Sequence, residues 1–214
     1  MKRSLLAIFL FLPFATGWAQ NGNEARAILD KTYSAFNASE GIRLSFTLSS
    51  LDQNDKLFDT QEGEASIKGD KFHLEMEAMD VWFDGKTQWV LIKEVNEVNI
   101  SQPTTQEIAS ISPLALLALY KNGYTLEATQ QATLNGKSVH RIKMNPTASN
   151  KDFQSVIATI DKTSNTLLQV LLAFPNGVKN QIDIPKYNAN YHYPESEFTF
   201  NAANHPGVEI VDLR

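Results

Sequence analysis

From Ile42 onward, large apolar side chains fall on every second residue: Ile42, Leu44, Phe46 and Leu48, then Phe72, Leu74 and Met76, then Trp89 and Leu91 after an Asp84-Gly85 turn. Side chains alternate faces along a strand, so the pattern predicts strands whose apolar residues all point to one side of a curved sheet. Polar clusters at Asp52 to Asp55, Lys68 to Lys71, Asp84 to Lys86 and Glu94 to Asn96 separate them. Gaps this short join antiparallel neighbours, because parallel neighbours need a crossover of a dozen residues. The first half therefore reads as a meander.

Two stretches follow a helical period instead. Ala25, Ile28, Leu29, Thr32 and Phe36 form one stripe after Asn23, a capping residue, and Gly41 ends the run. Between Ile108 and Tyr120, Ser112 is placed to cap, Pro113 takes the first helical position, and Leu114 to Leu119 is unbroken apolar sequence before Asn122-Gly123. A helix apolar all round is buried or lies against a hydrophobic cavity. Strands then resume, with the Asn135-Gly136 hairpin signal and breaks at Pro146 to Lys151, Asp161 to Asn165 and Pro175 to Gly177. Pro185 suits an edge strand or a bulge. A short strand around Phe198 and Phe200 leads to the tail Val208 to Leu213.

The count comes to about eleven strands, mainly β with helices, an α+β chain. About eight strands make a barrel that its own side chains fill, and more leave interior volume. A sealed core plugged by the 108–120 helix would give the same pattern. Phe46, Phe72, Met76, Trp82, Trp89 and Phe174 are many large side chains for a thin sandwich, and aromatics with Met suit an adaptable apolar wall.

The first residues add an address. Lys2-Arg3, an apolar run from Ser4 to Phe14 and the small residues around Gly17-Trp18-Ala19 read as a signal peptide over 1–19, leaving 20–214 as a single domain. Pro13 and Gly17 interrupt that run, which argues against a membrane anchor. The net charge is −5, and losing Lys2 and Arg3 makes it more negative, so neither nucleic acid nor an anionic membrane surface is an electrostatic partner. With no Cys there are no disulfides and no thiolate metal site.

No catalytic motif emerges. There is no nucleophile elbow, no phosphate loop and no paired metal-binding His. His73 differs in parity from Phe72 and Leu74 and is expected to face solvent. Glu75 and Glu77 read as the wet face of a strand. A hydrolase would need at least two of Asp80, Asp84, Glu195 and Glu197 within about 5 to 10 Å of each other. The expectation is a protein that is not an enzyme and carries no cofactor or metal.

Taken in order, the N-terminal helix, Ile42 to Thr47 (IRLSFT), Asp84 to Trp89 (DGKTQW) followed by Glu97-Val98, Ser112-Pro113-Leu114, Glu197 to Phe200 and Pro206-Gly207-Val208 resemble the periplasmic outer-membrane lipoprotein carriers of the LolA type. The resemblance implies an incomplete antiparallel β-barrel with a helical lid over a hydrophobic cavity. It also implies a monomeric periplasmic protein, in transient contact with membranes, whose cargo is an acylated lipoprotein. An ABC-type release complex in the inner membrane would be the donor and an outer-membrane protein the acceptor. The lipid-facing positions it implies are Phe46, Leu48, Phe72, Leu74, Met76, Trp89, Leu91, Leu114 and Leu117. Replacing Phe46 or Leu74 by Glu is expected to abolish acyl binding and leave a folded domain. Family members that latch the lid with Arg-Pro before the third strand differ from this chain, which has Gly69-Asp70 there. Asp cannot donate as a guanidinium does, so the latch must differ. A phospholipid or glycolipid carrier, or a lipid-binding sensor, would use the same fold.

Overall fold

The structure is a computed structural model that describes residues 19–104, 107–108, 112–147 and 153–214. Among the described residues thirteen strands form one sheet. The first six strands are β1 (Ile42–Leu51), β2 (Leu57–Lys68), β3 (Lys71–Met76), β4 (Met79–Phe83), β5 (Gln88–Ile92) and β6 (Glu97–Ser101). They form the expected antiparallel meander. After the short helix α2 (Pro113–Ala118) come β7 (Tyr124–Leu126), β8 (Gln130–Leu134), β9 (Lys137–Pro146), β10 (Ser155–Asp161), β11 (Leu167–Ala173) and β12 (Lys179–Asn188). β12 returns to pair β1. The last strand, β13 (Glu209–Asp212), joins β6 in parallel, so the order across the sheet is β13-β6-β5-β4-β3-β2-β1-β12-β11-β10-β9-β7, with β8 also pairing β9. The architecture is an incomplete barrel with helices on its concave side.

Local chemistry accounts for most of the turns. Asp84 Oδ1 accepts hydrogen bonds from the backbone N–H groups of Lys86 at 2.9 Å and Thr87 at 2.7 Å, and Gly85 takes φ +98°, a conformation that side chains with a Cβ disfavour. Asn135 and Gly136 both have positive φ, as their hairpin requires. Pro185 lies in a bulge rather than an edge: the β1–β12 register shifts between Ser45 and Thr47, opposite Ile184 and Pro185.

Several expectations are corrected. The helix α1 spans Ala19–Asn37, so Asn23 lies inside it and does not cap its start. The chain has more strands than expected because Glu77-Ala78 turns between β3 and β4 without Gly, Pro, Asn or Asp to signal it. Residues Glu195–Phe198 form a 3-10 turn, not a strand. The helical segment around α2 shows the expected cap, with Ser112 accepting from the Ala115 N–H and Pro113 in the first turn. The signal peptide expected over 1–19 falls, up to residue 18, outside the described residues. Among the described residues no helix is long and apolar enough to cross a membrane.

The sheet has two apolar faces near β3 to β6, not one. Cross-strand pairs place Phe72 opposite Phe83 and Leu74 opposite Val81, while His73 faces Trp82, Trp82 faces Trp89, and Leu91 faces Val98. The first set faces the concave core and the second faces outward. There the C-terminal segment covers it: Trp82, Leu91 and Val98 pack with Trp89, Phe200 and Val208. Glu195 fastens the start of this segment through Lys68 and Lys71.

Candidate functional site

The concave core gathers its residues from the sheet and from both helices. α1 contributes Ala25, Leu29 and Phe36, following the predicted stripe, and α2 with the turn after it contributes Leu116, Leu117 and Tyr120. They pack on Ile42, Leu44, Phe72, Leu74, Ile142 and Val156 among others. Leu29 and Phe72 are 0% exposed, and Leu44 and Leu117 are 1% exposed. At these positions the helices lie directly against the sheet, while Ile28, Tyr33, Leu126, Phe174 and Ile182 pack around them only partly buried.

Exposure rises along the concave face from one end to the other. On β1, Ile42 and Leu44 are buried while Phe46 and Leu48 are half-buried. On β3, Phe72 and Leu74 are buried and Met76 is not; on β4, Phe83 and Val81 are buried and Met79 is not. On β5, the same face ends in Ile92, which is exposed. The sheet is thus roofed at one end and open at the end carrying the β1–β2, β3–β4 and β5–β6 turns. Phe46 forms part of that opening. Its ring lies across Gly63, its cross-strand partner, where an added Cβ would sit 2.5 Å from Phe46 Cζ and 2.8 Å from the Glu75 carbonyl oxygen. Gly63→Ala is therefore expected to push the ring aside and destabilise the fold by about 1–3 kcal/mol, measured by urea denaturation.

The expected positions divide accordingly. Phe46, Leu48, Phe72, Leu74 and Met76 share the concave face, and Leu117 packs in the core above it. The side chain of Leu114 lies outside the described residues. Trp89 and Leu91 lie on the opposite face, beneath the C-terminal segment. The Asp84–Thr87 turn pairs Phe83 with Gln88, so the concave parity passes to Val90 and Ile92. Nor is Leu74 a position where Glu would leave the fold intact, because it is 5% exposed in the core.

The helices are tied to each other. Tyr120 Oη donates to Asp30 Oδ1 at 2.5 Å, the Arg26 guanidinium lies 5.6 Å from the centre of the Tyr120 ring, and Lys121 Nζ lies 3.2 Å from that of Tyr33. Burial, followed by the hydrogen bond to Asp30, pushes the Tyr120 hydroxyl well above the usual phenol range, so it remains a donor. Asp70 does not reach the helices; its carboxylate lies over the β4–β5 turn, where a Cβ on Gly85 would be 3.1 Å from Oδ2. Tyr120→Phe removes the bond between the helices and is expected to cost about 1–2 kcal/mol in thermal or urea melts. Amide exchange in α1 should quicken with it.

The residues that could have done chemistry are engaged elsewhere. Asp80 pairs with Lys93 at 2.8 Å, Asp84 caps its turn, Glu195 meets Lys68 and Lys71, and Glu197 meets His73 at 3.3 Å. His73 stacks on Trp82 with ring centres 4.7 Å apart, against the expectation of a solvent-facing side chain. Among the described residues no group of three or more His, Asp or Glu is arranged to hold a metal.

Residues 15–170 match the family model for the outer membrane lipoprotein carrier protein LolA. The chain belongs to this family. No curated protein matches it at a significant level. Among solved structures it resembles an uncharacterized conserved protein from Thermus thermophilus, with TM-score 0.61 and 12% identity over 88% of this chain and 99% of that one. That likeness shows a shared fold. The chain is also similar to a LolA superfamily protein from Nitrosomonas europaea, with TM-score 0.47 and 10% identity over 82% and 97% of the two chains. The lipoprotein LppX of Mycobacterium tuberculosis is a further neighbour, with TM-score 0.47 and 13% identity over 79% and 97%.

Proposed function

We propose that this LolA-type protein is a periplasmic carrier that shields the acyl chains of lipoproteins between its concave sheet and its two helices. It would move them from an inner-membrane release complex to an outer-membrane acceptor. On this reading residues 1–19 are a cleaved leader, 20–214 act as one domain, and no reaction is catalysed. The observation that carries it is the graded exposure of the concave face: an apolar floor roofed at one end and open at the other, where Phe46, Met76, Met79 and Ile92 emerge.

The energetics fit a shielded passenger. At about 0.8 kcal/mol per CH₂, moving an acyl chain of roughly 16 carbons from membrane to water costs on the order of 12 kcal/mol. A protein crossing an aqueous compartment with such cargo must recover most of that and still release it. An acyl chain that enters between the sheet and the helices takes the place of contacts made by Leu29, Leu116 and Leu117, and their loss offsets part of the binding energy. Affinity would thereby stay low enough for hand-over.

Native mass spectrometry of protein purified from the periplasm, followed by extraction of whatever accompanies it, tests the reading. Acylated peptide or lipoprotein in the extract is the expected result. Protein that is repeatedly empty, and whose tryptophan fluorescence ignores added fatty acid, would contradict it.

A further inference from the structure

β3 ends at Met76, but β2 continues past it. Gly63 is the last β2 residue paired with β3, so Leu57 and Asp59–Glu62 pair with β1 on one side and, among the described residues, with no strand on the other. Every second residue of that stretch directs its backbone N–H and C=O away from β1, into the lane that β3 vacates when it turns at Glu77-Ala78. A groove of about 910 Å³ occupies this lane, between the β2 edge and the turns at Glu77-Ala78 and Lys93-Glu94. Six residues of strand give an edge roughly 20 Å long.

The charge of the groove selects its occupant. Asp59, Glu62, Glu77 and Glu94 line it and form no ion pair among the described residues, although Asp59 Oδ2 accepts a hydrogen bond from the neighbouring Gln61 amide at 2.9 Å. Its one cation, Lys93, is already spent on the Met76 carbonyl at 2.6 Å and on Asp80 at 2.8 Å. Backbone groups with no strand beside them, next to carboxylates that no cation neutralises among the described residues, suit an extended peptide with basic side chains that adds itself to β2 as a strand. The groove also adjoins the open end of the concave face, since Met76, Met79 and Ile92 flank the same two turns.

From this juxtaposition we infer that the free edge of β2 binds the polypeptide of the cargo itself, the extended basic segment leading out from the acylated N-terminus. The inference rests on the carrier reading. It adds that cargo is held at two places, acyl chains under the helices and peptide backbone along Asp59–Glu62.

The test uses the purified mature protein and three probes: a dipalmitoylated peptide with a lysine-containing six-residue linker, the same compound with alternate linker amides N-methylated, and a fluorescent C16 fatty acid. N-methylation should weaken binding by about tenfold, the effect of losing one or two backbone hydrogen bonds. The triple variant E62K/E77K/E94K should weaken the lysine-linker compound to a similar degree and leave the fatty acid unaffected. Amide exchange at Asp59–Glu62 should slow only with the unmethylated linker. If the fatty acid binds but neither linker chemistry nor charge reversal matters, the inference is wrong and the carrier reading survives. If neither fatty acid nor lipopeptide binds, both fall.

Discussion

Phe46→Glu is expected to weaken the binding of a fluorescent fatty acid by at least about tenfold while the protein keeps its strand content and its cooperative melt. The first part follows from burial: a Phe side chain withdrawn from water contributes about 1.5–3 kcal/mol, and a carboxylate at the same place must be desolvated by any acyl chain that passes it. The second follows from position, because Phe46 is half-buried at the open end and not in the sealed part of the core. Leu74→Glu, a buried position on the same face, should fail to give a folded protein at all. The pair distinguishes loss of a binding surface from loss of the fold. Equal fatty-acid affinity in Phe46→Glu and the parent would remove the open end from the entry route.

Leu117→Ala has the other large expected effect. Leu117 lies in the core shared by α2 and the sheet and is 1% exposed, so truncating it leaves a cavity in a close-packed site. A loss of about 2–5 kcal/mol in denaturant unfolding is expected. On the proposed carrier reading the same change should speed fatty-acid uptake in stopped-flow fluorescence, because an acyl chain entering under the helices replaces their contacts with the sheet and the variant has fewer of them to give up. Slower or unchanged uptake at lower stability would mean that the helices do not move on binding. Tyr120→Phe should act in the same direction with a smaller amplitude, since the bond to Asp30 joins the helices to each other and not to the sheet.

The meander and its turns were legible because each rests on local chemistry. Asp84, Gly85, Asn135 and Gly136 encode their own backbone geometry, and Ser112-Pro113 marks a helix start wherever it occurs. The apolar stripe of α1 was equally plain, though Asn23 suggested a cap inside what is one continuous helix. What periodicity could not convey was which face each strand turns to the core. Val81, Trp82 and Phe83 are consecutive and all buried, the mark of a strand covered on both sides, and that run is the signal by which the second apolar layer could have been found. Its cover comes from Phe200 and Val208, more than a hundred residues away, and no local pattern reports such a distance. The parity of Trp89 and Leu91 was lost at the same place, through the length of one turn. Whether the concave side is hollow or filled was likewise beyond the strand count, because it depends on how deeply Leu29, Leu116 and Leu117 reach.

The most direct test of the central claim is photo-crosslinking with a diazirine-bearing C16 fatty acid, with labelled peptides mapped by mass spectrometry. The account predicts adducts on β1 and β3 around Phe46 and Met76 and on the helix bearing Leu117, with Trp89 and Leu91 unlabelled. Adducts confined to the outer face, or none above a background protein, would contradict it.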